Sequence, residues 1–178
     1  MDGELWDVTD AAGIPLGMTH RRGDPDFPVG RYHVVSSVCA VRDDGRVLIS
    51  QRAAVKDFAL DWEFAAGSAL AGETSREAAV RELREETGLR ASGAGLAFVG
   101  RCVETSALFD VYVAHDVDPA TLALDPDEVA ASEWVTLDDV RVRYRAGEFA
   151  GPWVARLDAL WPALVGAVRG QEGPKPSR

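Results

Sequence analysis

The sequence predicts an α/β fold: a mixed central sheet with helices on both faces. Three observations carry that expectation. Strand-like and helix-like segments alternate irregularly along the 178 residues, not in a strict βαβ rhythm. Two β-branched runs, HVVSSVCAV and RVLISQR, flank the Asp43-Asp44-Gly45 turn and are apolar enough for cover on both faces. Thr74 and Glu77 have the spacing of a capping box, opening a helix that Gly88 closes. At 47% apolar residues, the chain can bury a real core.

Taken in order, ELWDVTDAAGIPLG reads as a strand, a Gly-containing turn and a second extended piece, followed by a Pro- and Gly-rich loop, THRRGDPDFPVGRY. The strand pair around Asp43-Asp44-Gly45 comes next. KDFALDWEFAAGSALAG looks irregular, with Trp62 and Phe64 as core anchors. After the capped helix, LAFVGRCVE and ALFDVYVAH read as strands and DVDPATLALDPDEVA as a loop. EWV is a short strand. Helices are expected from about Leu137 to Ala146 and from about Trp153 to Val168. No repeat or linker divides the chain, so residues 1–170 are expected to form one domain and the polar QEGPKPSR, residues 171–178, a disordered tail.

Charge and composition narrow the function classes. A formal net charge of -10 repels nucleic-acid backbones, so a polymeric polyanion is not expected as a partner, and a phosphate ligand would need a mediating cation. MDGELWDVTD lacks the basic-then-apolar order of a signal peptide, and no apolar stretch is long enough for a membrane span; cytoplasmic residence is expected. Cys39 and Cys102 lie in strand-like runs without zinc spacing and read as buried free thiols. Trp153, Leu157, Leu160, Trp161 and Leu164 form an apolar stripe on the last helix, for core packing or a homodimer contact, leaving monomer and homodimer both open.

The helix beginning at Thr74 raises the functional question. Projected at about 100° per residue, Ala79, Val80 and Leu83 share one face and Glu82, Glu85 and Glu86 an adjoining arc, with only the small Ala78 between them. Glu82 and Glu86 are an i,i+4 pair of like charges, unfavourable by a few tenths of a kcal/mol in an isolated helix. A hard divalent cation reverses that sign, since Mg²⁺ seeks oxygen ligands and keeps waters that phosphate oxygens can replace. Arg81 stands one turn before Glu85 and one turn after Glu77 and can bond either.

Gly67, Glu73, Arg81, Glu82, Leu83, Glu85, Glu86, Gly88 and Leu89 fill the pattern G-x5-E-x7-R-E-U-x-E-E-x-G-U, with U aliphatic. That pattern resembles the Nudix box, and the preceding strand pair and EWVTLDDV extend the likeness over most of the chain. The resemblance implies an α/β/α sandwich that hydrolyses a diphosphate bond in a nucleoside diphosphate linked to another group, or a related small-molecule diphosphate, with Mg²⁺ or Mn²⁺. It implies Glu82, Glu85, Glu86 and the Gly67 carbonyl as metal ligands. Arg81 would orient a carboxylate, and Glu73 would pair with Arg81 or touch metal through water. The general base would be Glu82 or a loop carboxylate, with Glu128 the candidate and Glu104 the alternative. Arg31, Tyr32, Lys56, Trp62 and Phe109 are candidate substrate contacts, Trp62 and Phe109 reading equally as core.

WDVTDAAGIPLGMTHRRGD followed by YHVVSSVCAV resembles the branch containing isopentenyl diphosphate isomerase, for which His33 could match a metal histidine. Ala66 and Ser68 stand where that enzyme has its catalytic cysteine and a metal-binding histidine; Ala66 has no ionisable proton, so the acid/base pair is missing half its chemistry. A non-catalytic, ligand-sensing module would be favoured by loss of box carboxylates, and none is lost.

Overall fold

The computed structural model describes residues 3–170, so the predicted tail at 171–178 lies outside the described residues. β1 (Leu5–Thr9) and β2 (Pro15–Arg21) form an antiparallel ribbon. Asp10 shapes its turn: Oδ1 accepts from the backbone N–H of Ala12 at 2.9 Å and of Ile14 at 3.0 Å. β3 (His33–Ala40) and β4 (Val47–Arg52) follow, on either side of the expected turn.

The expected pairing of β3 with β4 is corrected. They share the Val41–Val47 bridge and then diverge into different sheets. Both long edges of β3 are already taken, by β6 (Ala65–Ser68), antiparallel, and by β8 (Ala107–Ala114), parallel with His33 opposite Ala107 and Ala40 opposite Ala114. With β7 (Leu96–Val103) on the far edge of β8, the sheet has the order β6-β3-β8-β7 and is mixed, as expected. β4 pairs instead with β5 (Trp62–Glu63) and β9 (Val129–Val135). The segment expected to be irregular thus contains β5 and β6, and the strand at EWV starts earlier, at Val129.

Three helices complete the fold: α1 (Ser75–Thr87), α2 (Leu137–Arg145) and α3 (Pro152–Val168). α1 begins with the full Thr74/Glu77 capping box and ends at Gly88, whose φ of 72° is the left-handed conformation glycine adopts without penalty. β-strand alternation sends successive side chains of β3 and β8 to opposite layers. Cys39, Phe109, Val111 and Val113 join Phe64, Trp153, Leu157 and Leu164 on the α3 side. Val38, Ala40, Tyr112 and Ala114 join Ala79, Leu83 and Leu89 on the α1 side. Both cysteines are free; Cys39 is fully buried, whereas Cys102 is only half-buried, on the edge strand β7. No helix among the described residues is long and apolar enough to cross a membrane.

A polar network fixes the start of α1 to the sheet. Asp110, 1% exposed, receives Arg101 Nε at 2.6 Å and Nη2 at 2.8 Å, and Ser75 Oγ at 2.5 Å. Tyr112 donates to Ser75 Oγ at 3.0 Å, and Ser36 Oγ donates to the Ser75 carbonyl at 2.7 Å. Buried polar groups satisfied in this way hold one geometry.

Candidate active site

β6 runs along the edge of β3, with Gly67 opposite Ser36, and leads through the 69–74 turn into α1. The acidic arc of α1 is thereby laid against β6. A Cβ on Gly67 would stand 2.1 Å from Cδ and Oε1 of Glu82, so only hydrogen fits beside that carboxylate. Ala78, the small residue that shares their arc, is fully buried. Glu86 follows it inward and is 3% exposed, while Glu85 stays at the rim.

These groups open on a cleft of about 370 Å³, lined by Gly67, Glu82, Glu85 and Glu86 on one side. Arg52 lines it from the end of β4, Lys56 from the loop that follows, Asp125 and Glu128 from the loop before β9, and Glu4, Trp6 and Arg22 from the open end of the β1–β2 ribbon. Arg81 is the organising cation. Its Nη1 donates to Glu82 Oε1 at 2.7 Å and Glu85 Oε2 at 3.1 Å, its Nη2 to the Ser68 carbonyl at 2.9 Å, and Nε and Nη2 form a fork with Glu73, both at 2.9 Å. A bidentate fork of this kind fixes orientation as well as charge.

The carboxylates differ because their surroundings differ. Arg81 beside Glu73 holds that carboxyl below its usual range. Burial pushes Glu82 up despite Arg81, and pushes Glu86 well up, with the Glu63 and Glu82 charges adding to the effect. Glu63, 6% exposed, is also raised by burial although Arg52 Nη1 reaches both its oxygens at 2.8 Å.

Two features suit a hard cation. Glu86 Oε2 is buried and has no hydrogen-bond partner among the described residues, an arrangement that is unfavourable by several kcal/mol for a lone ionised group. The donor set at the cleft is oxygen only: the three helix carboxylates with the carbonyls of β6 beside them. The site is not preassembled: among the described residues no three Asp, Glu, His or Cys side chains stand at metal-ligand spacing, and Glu82 and Glu85 are paired with Arg81.

Of the site residues singled out in the sequence, Gly67, Arg81, Glu82, Glu85, Glu86, Glu128 and Lys56 meet at the cleft. Lys56 and Glu128 form an ion pair on its far wall. Glu73 does not line it; its oxygens are taken by Arg81 and by the Leu70 N–H, at 2.9 Å. Glu104 is also elsewhere, forked on Arg156 at 2.6 and 2.9 Å. His33 is packed on Trp6, ring centroids 4.3 Å apart, with Nδ1 3.0 Å from the Ser106 carbonyl, and burial holds its pKa down. Arg31 and Tyr32 lie outside the cleft, and Trp62 sits under the Arg143 guanidinium. Phe109 is buried core. Sequence reasoning missed Arg52 and Glu63. The signal was there: a glutamate between Trp62 and Phe64, both apolar, needs a buried cation.

Comparison with known proteins points to one family. Residues 31–157 match the model of the NUDIX domain. A protein of Listeria monocytogenes named as an uncharacterized Nudix hydrolase is 37% identical over 152 residues, covering 82% of this chain and 88% of the relative. An isopentenyl-diphosphate Delta-isomerase of Nocardia farcinica is 34% identical over 170 residues, covering 85% and 90%. Among solved structures, a Deinococcus radiodurans protein superposes with a TM-score of 0.72 at 24% identity, covering 89% of this chain and 99% of its own.

Proposed function

The chain belongs to the Nudix hydrolase family, and from that premise we propose that it hydrolyses the diphosphate bond of a small molecule, with Mg²⁺ or Mn²⁺ held by Glu82, Glu85, Glu86 and the Gly67 carbonyl. The observation that carries this reading is the Glu86 carboxylate, buried in the cleft with an oxygen that has no partner, beside a Glu82 for which Gly67 clears the space. A bound divalent ion supplies charge neutralisation for the diphosphate and acidifies a water.

The chain's own residues do the rest. Arg81 sets the direction of Glu82 and Glu85 and is itself locked by Glu73 and the Ser68 carbonyl. Glu82, held by Arg81, or Glu128, paired with Lys56, takes the proton of the attacking water; both line the cleft. Lys56, on the wall that also carries Glu128, offers a cationic donor to phosphate oxygens. The overall charge of -10 favours a small substrate brought in with its metal ion over a nucleic-acid polymer.

The likeness to an isopentenyl-diphosphate isomerase raises a second reaction, double-bond migration. Ala66 lines the cleft with a methyl group where the proton shuttle needs an ionisable thiol, and Ser68 follows Gly67 where the isomerase has a metal-binding imidazole. Hydrolysis is the reading the side chains favour. Release of phosphomonoester products with Mg²⁺ across nucleotide sugars, dinucleotides, oxidised nucleotides and non-nucleotide diphosphates, read as phosphate after phosphatase treatment, tests it, with proton exchange into isopentenyl diphosphate run in parallel. No metal-dependent release from any class would overturn it.

A further inference from the structure

The cleft does not end at the carboxylates. Val35, Arg52 and Ala66 line it and also line a second lobe of about 230 Å³, which runs toward the start of α3. Phe58, Phe109, Pro152 and Trp153 supply its apolar walls. Its cations are already neutralised: Arg52 by Glu63, and Arg156 by Glu104. The Arg156 guanidinium, a planar group, sits over Phe109 with its Cζ 3.5 Å from the ring centroid. Asp57, at the exposed rim, is the one remaining charged side chain of the lobe.

Phe58 covers this lobe in an unusual way. It is 50% exposed, a large apolar ring left half in water, and its φ is 54°. Leu60, two residues on, has a φ of 64°. Left-handed backbone at a bulky residue is unfavourable by about 1–2 kcal/mol and persists only where surrounding bonds impose it. Here they do: Arg52 Nε donates to the Asp57 carbonyl at 2.6 Å, Gln51 Nε2 to the Leu60 carbonyl at 2.8 Å, and the Asp61 N–H to the Phe58 carbonyl at 3.2 Å. The turn carries the ring across to α3, where Phe58 Cε1 lies 3.4 Å from the place a Gly151 Cβ would occupy.

We propose that Phe58 is a specificity determinant: with the lobe it covers, it selects diphosphates carrying an uncharged, planar or apolar group. That group can be the base of a nucleotide or the hydrocarbon of a prenyl diphosphate. A further phosphate or a charged head group finds no free cation there, and a bare diphosphate leaves the lobe unfilled. This inference rests on the diphosphate reading of the adjoining cleft.

Calorimetric binding of three non-hydrolysable probes in Mg²⁺ tests it: methylenediphosphonate, α,β-methylene adenosine diphosphate and the methylene-bridged analogue of isopentenyl diphosphate. One of the substituted probes is expected to bind the wild type at least about tenfold more tightly than methylenediphosphonate. Phe58→Ala should remove about tenfold of that preference and Phe58→Trp should restore it, the affected probe telling base from hydrocarbon. Equal binding of all three probes to the wild type, or a Phe58→Ala variant that weakens all three alike or none, would overturn the assignment. Failure of the wild type to bind any probe would instead overturn the diphosphate reading, and this inference with it.

Discussion

Replacing Gly67 by Ala isolates one contact of the site. The new Cβ would stand 2.1 Å from Glu82 Cδ, far inside the ~3.5–4.0 Å of ordinary carbon contact, so the carboxylate must retreat by about 1 Å or more. The backbone raises no objection, because Gly67 is in a strand and has no left-handed φ. Removing glycine from the unfolded chain stabilises by about 0.4–1 kcal/mol. Weakening the Arg81–Glu82 bond opposes that by roughly 1 kcal/mol. The melting temperature should therefore stay within roughly 4 °C of wild type. Turnover should not follow it, because a misplacement of about 1 Å in a catalytic group lowers rate about 10²-fold. The assay is kcat/KM for Mg²⁺-dependent diphosphate hydrolysis beside a thermal melt of the same preparation. Wild-type turnover in Gly67→Ala would refute the reasoning, and so would a loss of activity that merely tracked unfolding.

Three further outcomes are expected. Glu86 has a carboxyl pKa raised well above 4.5 by burial, so in chelator the folded chain keeps a proton that the unfolded chain loses; stability should fall as pH rises above about 4.5, and Glu86→Gln should flatten that decline while abolishing turnover. Part of the slope should remain from Glu63 and Glu82, whose carboxyls are also raised, and identical melts of variant and wild type from pH 4 to 8 would contradict the argument. Arg81→Lys replaces a fork that serves Glu73, Glu82, Glu85 and the Ser68 carbonyl with a single ammonium; Mn²⁺ affinity or turnover should drop about 10–100-fold, read by metal titration. Asp110→Asn leaves Arg101 without its counter-charge in the network under α1 and should lower stability by about 1–3 kcal/mol in urea unfolding.

The chain announced some of this plainly and hid the rest for physical reasons. α1 was legible to the residue because its caps are local: Thr74 with Glu77 at one end, Gly88 at the other. The β-branched runs of β3 and β4 declared strands but not partners, since pairing depends on which edges other segments fill. Ala65–Ser68, with two alanines and a glycine, has little strand propensity and becomes β6 by docking on β3. At the site, the arc of Glu82, Glu85 and Glu86 followed from helical periodicity. The depth of each did not, and depth separates a rim Glu85 from a buried Glu86. Arg52 and Glu63 are 11 positions apart and meet only because β4 and β5 pair, with Ser50 opposite Glu63.

Alternate side chains of β3 and β8 feed opposite layers, Cys39 and Val111 one and Val38 and Tyr112 the other. A slip of one residue between these strands would invert both layers together, so no half-correct alignment keeps either of them intact. The two halves of the molecule are thus tied into one melting unit. Amide protons along the His33–Ala40 and Ala107–Ala114 ladder should be the last to exchange with deuterium, and should do so only when the whole chain opens.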